Sequence, residues 1–161
     1  SGAHFNPVVS LIFALRRDLP WRSLPVYIAA QVVGGLLGTL LAHLMFDLPV
    51  IELSQHIRTG PSQWLAEAVA TFGLILTILG GQRSRPAAVP ALVALYITSA
   101  YWFTSSTSFA NPAVALARAL TDSFSGIRPV DVPGFALAEG AGALIALGLA
   151  HLLFSDTAKG R

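Results

Sequence analysis

Two short apolar segments begin in the same way, with HFNPVV at residues 4–9 and FANPAV at residues 109–114. Asn is a preferred N-cap residue because its side-chain oxygen accepts an unpaired backbone N–H, and Pro at the next position already has a helical φ. Each Asn-Pro box therefore predicts the start of a helix. The apolar run that follows is about ten residues long, which at about 1.5 Å per residue reaches half of a hydrocarbon core.

The composition is typical of a membrane protein. Of the 161 residues, 54% are hydrophobic and 11% are charged, whereas a soluble domain carries about 25% charged residues. The mean hydropathy is +0.66. A spanning helix needs about 20 mostly apolar residues, and four stretches provide them: 25–46, 64–82, 86–104 and 132–154. We therefore expect one all-α membrane domain over residues 1–161, with four spanning helices and two half-helices, one within 1–24 and one at 111–120.

Several function classes are disfavoured by the residues that the chain lacks. There is no cysteine, which excludes disulfides, thiolate metal ligands and a cysteine nucleophile. No basic stripe interleaved with aromatic residues points to a nucleic acid. No histidine has neighbours that complete a metal site. We therefore expect no enzymatic activity, no cofactor, no metal and no nucleic-acid partner.

An internal repeat relates the two half-helices. Asn6 and Asn111 are 105 positions apart, and LAHLMF at 41–46 matches LAHLLF at 149–154 with an offset of 108. Three predicted crossings separate the copies, so the second half-helix enters the membrane from the opposite face. Inverted repeats whose broken helices meet at the midplane are a transport architecture, with the site where the half-helices converge.

The basic residues predict the orientation, because cytoplasmic loops carry an excess of Lys and Arg. If the segment before residue 25 is cytoplasmic, seven basic residues lie on that side and three on the other. The cytoplasmic set is Arg16, Arg17, Arg22, Arg83, Arg85, Lys159 and Arg161, and the outer set is Arg58, Arg118 and Arg128.

The segments SGAHFNPV at 1–8 and NPA at 111–113, with Glu67, Thr71 and Phe72 in a spanning segment, resemble the aquaporin or major intrinsic protein family. The resemblance implies six spanning helices, two half-helices and a homotetramer with one pore per subunit. Comparing the two copies, and noting that the chain starts at Ser1, we expect about 43 residues and the first two spanning helices to be missing.

The resemblance also implies a pore at the two boxes. Each half-helix carries about half a positive charge at its N-terminus, which opposes cations and protons, as in the aquaporins. The two Asn amides offer N–H donors to a passing oxygen, while their oxygens remain free to cap the helices. The expected pore residues are Asn6, Pro7, Val8, Asn111, Pro112 and Ala113.

A constriction nearer the outer mouth is implied at Ser99, Ser108 and Val114. Most members of the family have Arg at the position of Val114, so this constriction is predicted to be wider and less basic. Val114 and the run ALARALTD that follows it at 115–122 resemble the bacterial aquaglyceroporin branch that is associated with arsenic resistance. Arsenous acid is an uncharged trihydroxy species similar in shape to glycerol.

Arg118 lies four residues after Val114 and therefore on the same helix face. Two interpretations stay open from the sequence. Arg118 either lines the outer vestibule and restores part of the missing charge, or it lies at the C-terminal end of the half-helix. At that end its positive charge interacts favourably with the helix dipole, and its charged group extends to water.

Four further polar residues are candidates for supporting the re-entrant loops: His4, Gln31, Glu67 and Glu139. The resemblance suggests that Glu67 accepts backbone N–H groups, and Glu139 occupies the position that matches Gln31. Because intramembrane carboxylates also serve proton relays, Glu67 and Glu139 leave a second interpretation open.

The sequence thus predicts a passive channel for trivalent metalloid hydroxides such as arsenite and for glycerol-like polyols, with water. The alternatives are a water-selective aquaporin, a proton-coupled secondary transporter using the two carboxylates, and a structural membrane protein. We expect an integral protein of a bacterial inner membrane, whose partners are the lipid bilayer and small neutral solutes. The loops 16–22 and 83–85 and the C-terminus would be cytoplasmic.

Overall fold

The computed structural model describes residues 1–154. Within them it contains six α-helices and no β-strand. The helices are α1 (Pro7–Leu15), α2 (Leu24–Met45), α3 (Pro61–Ser84), α4 (Val89–Phe103), α5 (Pro112–Arg118) and α6 (Val132–Phe154). The predicted all-α fold class is confirmed. Lys159 and Arg161, which the orientation argument placed on the cytoplasmic side, lie outside the described residues.

Four of the helical stretches are long and apolar enough to cross a membrane. Counted with the short 3₁₀ turns that precede three of them, they are Trp21–Met45, Pro61–Ser84, Pro86–Phe103 and Pro129–Phe154. Their bounds differ from the sequence-based ones by a few residues. The helix α3, for example, begins at Pro61 rather than at residue 64, because Pro takes the first helical position after Gly60.

The pair α3 and α6 forms the centre of the molecule. The helices touch closely because Gly142 has no side chain, so that α6 lies directly on the backbone of Ala68 in α3. Tyr96 of α4 lies over Gly73 of α3 and donates a hydrogen bond of 2.9 Å to the carbonyl of Ala70. These contacts fix the scaffold on which the half-helices rest.

The half-helices α1 and α5 occupy corresponding places in the two copies of the repeat. A loop precedes each half-helix. In both loops the backbone is left-handed at the residues four, three and one positions before the Asn. Such a backbone costs about 1 kcal/mol or more for each residue other than glycine, so tertiary contacts must hold it. The φ angles are 75°, 49° and 51° at Gly2, Ala3 and Phe5, and 64°, 50° and 49° at Thr107, Ser108 and Ala110.

Candidate functional site

Each box Asn caps its own half-helix. The side-chain oxygen of Asn6 accepts a hydrogen bond of 3.0 Å from the backbone N–H of Val8. The oxygen of Asn111 accepts bonds of 3.0 Å from Ala113 and 3.4 Å from Val114. Both Asn residues have an extended backbone, as an N-cap requires. The capping therefore uses only the oxygen of each amide.

The amide nitrogens connect the two boxes to each other. Asn6 Nδ2 donates to the carbonyl of Ala110 over 2.6 Å, and Asn111 Nδ2 donates to the carbonyl of Phe5 over 2.9 Å. Each Asn thus donates to the residue that precedes the other Asn. An amide carries two N–H groups, and within the described residues the second N–H of each has no acceptor. We call this reciprocal arrangement the Asn junction.

Two buried carboxylates hold the loop before α5. Glu67 of α3 has no exposed surface and accepts hydrogen bonds from the backbone N–H groups of Phe109 and Ala110, over 2.9 and 2.7 Å. Glu139 of α6 is also fully buried and accepts a bond of 2.9 Å from the N–H of Asn111. Three successive backbone donors are thereby satisfied by α3 and α6.

Comparison with known proteins agrees with this architecture. Residues 1–107 match the family model described as Major intrinsic protein. The chain belongs to the major intrinsic protein family.

Curated relatives of this major intrinsic protein include channels named for polyols and for water. The chain is 63% identical to the Aquaglyceroporin AqpS of Rhizobium meliloti (strain 1021) over 153 residues, which are 95% of the chain and 66% of the relative. It is 38% identical to the Glycerol uptake facilitator protein of Bacillus subtilis (strain 168), over 49% of the chain and 33% of the relative. It is 42% identical to the Putative aquaporin NIP4-1 of Arabidopsis thaliana, over 50% of the chain and 29% of the relative. The chain thus spans less than two thirds of the glycerol and plant relatives, and 66% of the first.

Neutral side chains support the loop before α1 in this major intrinsic protein. The hydroxyl of Ser10 lies 3.1 Å from Nδ1 of His4 and accepts a hydrogen bond of 2.9 Å from Nε2 of Gln31. Val8 is buried in the hydrophobic core, with 4% of its surface exposed. Its side chain therefore packs against the hydrophobic scaffold.

The three residues expected at the constriction have different surroundings in the described chain. Val114 lines two cavities along α2, of about 640 and 460 Å³, and Gly35 is the other residue that lines both. Neither cavity is lined by Ser99 or Ser108. Ser99 is exposed on α4 and its hydroxyl donates to the carbonyl of Leu95, while Ser108 is buried.

Arg58 also supports the loop before α5, through a hydrogen bond to the carbonyl of Ser106. The sequence identifies it only as one of the basic residues of the outer loops. Its guanidinium is buried and donates to three backbone carbonyls, over 2.7 to 3.1 Å, and lies 5.1 Å from the ring centre of Phe109. Burial lowers the pKa of Arg58, and the nearby charge of Glu67 opposes that shift. A single Arg in a loop carries no sequence signal for this role. The acceptors are Ser106, Phe124 and Gly126.

Proposed function

We propose that this protein is a passive channel for small uncharged solutes, chiefly glycerol-like polyols and trivalent metalloid hydroxides such as arsenous acid, with water. The Asn junction carries the proposal. In each amide the oxygen accepts the bonds that cap the helix, and one N–H donates to the opposite loop. The other N–H of each amide remains to donate to a solute. Two fixed donors at one point suit a solute that presents hydroxyl oxygens.

The junction also favours uncharged solutes over cations. The N-terminal ends of α1 and α5 meet there, and both Asn amides present donors rather than acceptors. A cation at this point loses water without gaining an oxygen ligand from the amides, whereas a hydroxyl group accepts a hydrogen bond.

The names of the relatives and the residue Val114 support polyols ahead of water. An aquaglyceroporin and a glycerol uptake facilitator are among the similar proteins. An isopropyl group at Val114 offers no hydrogen bond and is smaller than a guanidinium, so it leaves room for the carbon backbone of a polyol. Arsenous acid has three hydroxyl groups and comparable size, and we include it for that reason.

We further propose a homotetramer in a bacterial inner membrane, with the loops 16–22 and 83–85 in the cytoplasm. The exposed apolar side chains of α2 support contact with lipid or a neighbouring subunit: Val33, Leu37, Leu41 and Leu44. The molecular mass of the detergent-solubilised protein, corrected for bound detergent, tests the tetramer, and a monomer contradicts it.

The test is a comparison of three fluxes. The full-length protein is reconstituted into liposomes, and the entry of water, glycerol and arsenous acid is followed by light scattering and by arsenic content. The proposal predicts non-saturating entry of glycerol and arsenous acid well above that of protein-free liposomes. Rapid water flux without entry of either solute would instead indicate a water-selective aquaporin.

A buried oxygen of Glu139 favours a second candidate function, that of a proton-coupled transporter. One of its oxygens is buried without a hydrogen-bond partner among the described residues. Both oxygens of Glu67, in contrast, are occupied by backbone donors. Uptake that saturates and follows an imposed pH gradient would favour the transporter, and uptake that ignores the gradient favours the channel.

A further inference from the structure

A ring cluster packs behind the first box. The ring of His4, two residues before Asn6, lies 4.4 Å from the ring centre of Phe13 and 5.5 Å from that of Tyr27. Phe13 belongs to α1 and Tyr27 to α2, so the cluster ties the loop to both helices.

The same cluster recurs behind the second box, at the positions that the repeat offsets predict. Phe109, two residues before Asn111, takes the place of His4, and its ring lies 5.2 Å from that of Phe135. Phe135 corresponds to Tyr27 with the offset of 108. The residue that corresponds to Phe13 with the offset of 105 is Arg118.

Arg118 makes the contact that the ring of Phe13 makes in the first copy. Its guanidinium carbon lies 4.3 Å from the ring centre of Phe109, a cation–π geometry. The side chain therefore folds back along α5 toward the box instead of extending away from it. The repeat itself places this side chain, and only the chemistry of the residue differs between the copies.

The guanidinium of Arg118 lies beside a cavity and has no ion-pair partner within residues 1–154. Within residues 1–154 no acceptor receives a hydrogen bond from it, although it carries five donors. It lines the cavity of about 460 Å³ together with Val114, one helical turn away. Arg58, whose guanidinium is bound to three carbonyls, adds a second positive charge against the same ring.

We propose that Arg118, held on Phe109, is a specificity-determining residue that gives the outer side of the passage the positive charge that Val114 lacks. A fixed charge about one turn from Val114 repels cations and protons but acts weakly on uncharged solutes. The proposal rests on the proposed channel function and adds the residue that sets its charge selectivity.

The test measures ion leak and solute flux on the same liposomes. The full-length protein and its Arg118→Gln and Arg118→Lys variants are reconstituted, proton entry is read with an internal pH-sensitive dye under a fixed membrane potential, and glycerol entry is read by light scattering. We expect Arg118→Gln to raise the proton leak about tenfold, since a unit charge acts strongly over one helical turn in a low dielectric. We expect Arg118→Lys to stay near the wild type, with glycerol flux changed less than about twofold in both.

A second neutral variant and a relocated charge complete the design. Arg118→Met keeps a long apolar stem against Phe109 and should leak as Arg118→Gln does. The double variant Val114→Arg with Arg118→Gln places the charge one turn further in and should restore the low leak.

Two results would overturn the role proposed for Arg118. A wild-type leak in folded Arg118→Gln and Arg118→Met overturns the proposal. So does loss of glycerol flux in both neutral variants while Arg118→Lys remains active, because the charge would then serve folding or solute passage rather than exclusion. Absence of glycerol flux in the wild-type protein contradicts the proposed channel itself, and is thereby distinguished from a failure that concerns Arg118.

Discussion

The loops before α1 and α5 have left-handed residues at the same three positions, and the described side chains that bond to them differ in chemistry. Beside the first loop, Ser10 bonds to His4 and to Gln31. Glu67 and Glu139 accept backbone N–H groups of the second loop, and Arg58 donates to the carbonyl of Ser106. The position that corresponds to Glu67 with the offset of 105 lies outside the given chain, so the pair that can be compared directly is Gln31 and Glu139.

This difference shows which features the repeat constrains. A strained backbone needs partners for its N–H groups, and either uncharged groups or carboxylates can provide them. Carboxylates give stronger hydrogen bonds but must be buried, which is costly unless several donors compensate them. The loop before α5 therefore depends on the two carboxylates that accept its backbone N–H groups.

The largest effect is expected from Glu67→Ala. This change removes the acceptor of two buried backbone N–H groups, each bond to a charged group being worth about 1.5–3 kcal/mol, so we expect a loss of about 3–6 kcal/mol of stability. Heating of the detergent-solubilised protein measures it. The control is Glu52→Ala, because the side chain of Glu52 makes no hydrogen bond within the described part of the chain. Equal stability of the two variants would show that the carboxylate does not hold the loop.

Gly142→Ala tests whether the support of the loop before α5 needs the close approach of α3 and α6. The added methyl group would overlap the backbone carbonyl of Ala68, which cannot yield as a side chain can. We expect a loss of about 2–3 kcal/mol. Gly148→Ala, on the same helix, meets no atom within 4 Å and should be neutral or gain up to about 1 kcal/mol through helix propensity. A neutral Gly142→Ala would contradict the packing described for this pair.

Asn6→Ala and Asn111→Ala compare the two boxes directly. Each change removes an N-cap of about 1 kcal/mol and one hydrogen bond to the opposite loop of about 0.5–1.5 kcal/mol. We expect both variants to lose about 2 kcal/mol, because the reciprocal bonds are alike whatever supports the loops. Chemical unfolding in micelles measures the two values. A loss confined to one variant would show that only one amide connects the loops.

Glu139→Gln is expected to have the smallest effect. The amide oxygen of Gln can still accept the N–H of Asn111, so the hydrogen bond is kept and we expect a change of about 1 kcal/mol or less. Glu139→Leu removes the acceptor and should cost about 2 kcal/mol in the same unfolding measurement. If both variants behaved alike, the bond to Asn111 would have no part in the stability of the loop.

Much of the fold could be predicted from the sequence because its signals are local. Asn followed by Pro predicts a helix start, and α1 and α5 begin there. Long apolar stretches predict spanning helices, and the structure has four such stretches. The offsets of 105 and 108 predict corresponding loops, which the matching φ angles of Ala3 and Ser108 show in detail.

The rest depends on tertiary contacts that leave no local pattern. The bonds from Asn6 to Ala110 and from Asn111 to Phe5 join segments about a hundred residues apart. Arg58 lies in a loop whose sequence gives no sign that it is buried. The constriction roles that the family resemblance implies for Ser99 and Ser108 stay predictions, and the structure adds that the first residue is exposed and the second buried.

We propose that uncharged solutes pass by hydrogen bonding to the free amide N–H groups of the Asn junction. The glycerol permeability of liposomes that contain the full-length protein or its Asn111→Asp variant tests this role. Asp keeps the oxygen that caps α5 but has no amide N–H, so we expect a folded protein whose glycerol permeability falls about tenfold, the equivalent of one hydrogen bond. Unchanged glycerol permeability in a folded Asn111→Asp variant would show that the amide N–H has no part in solute passage.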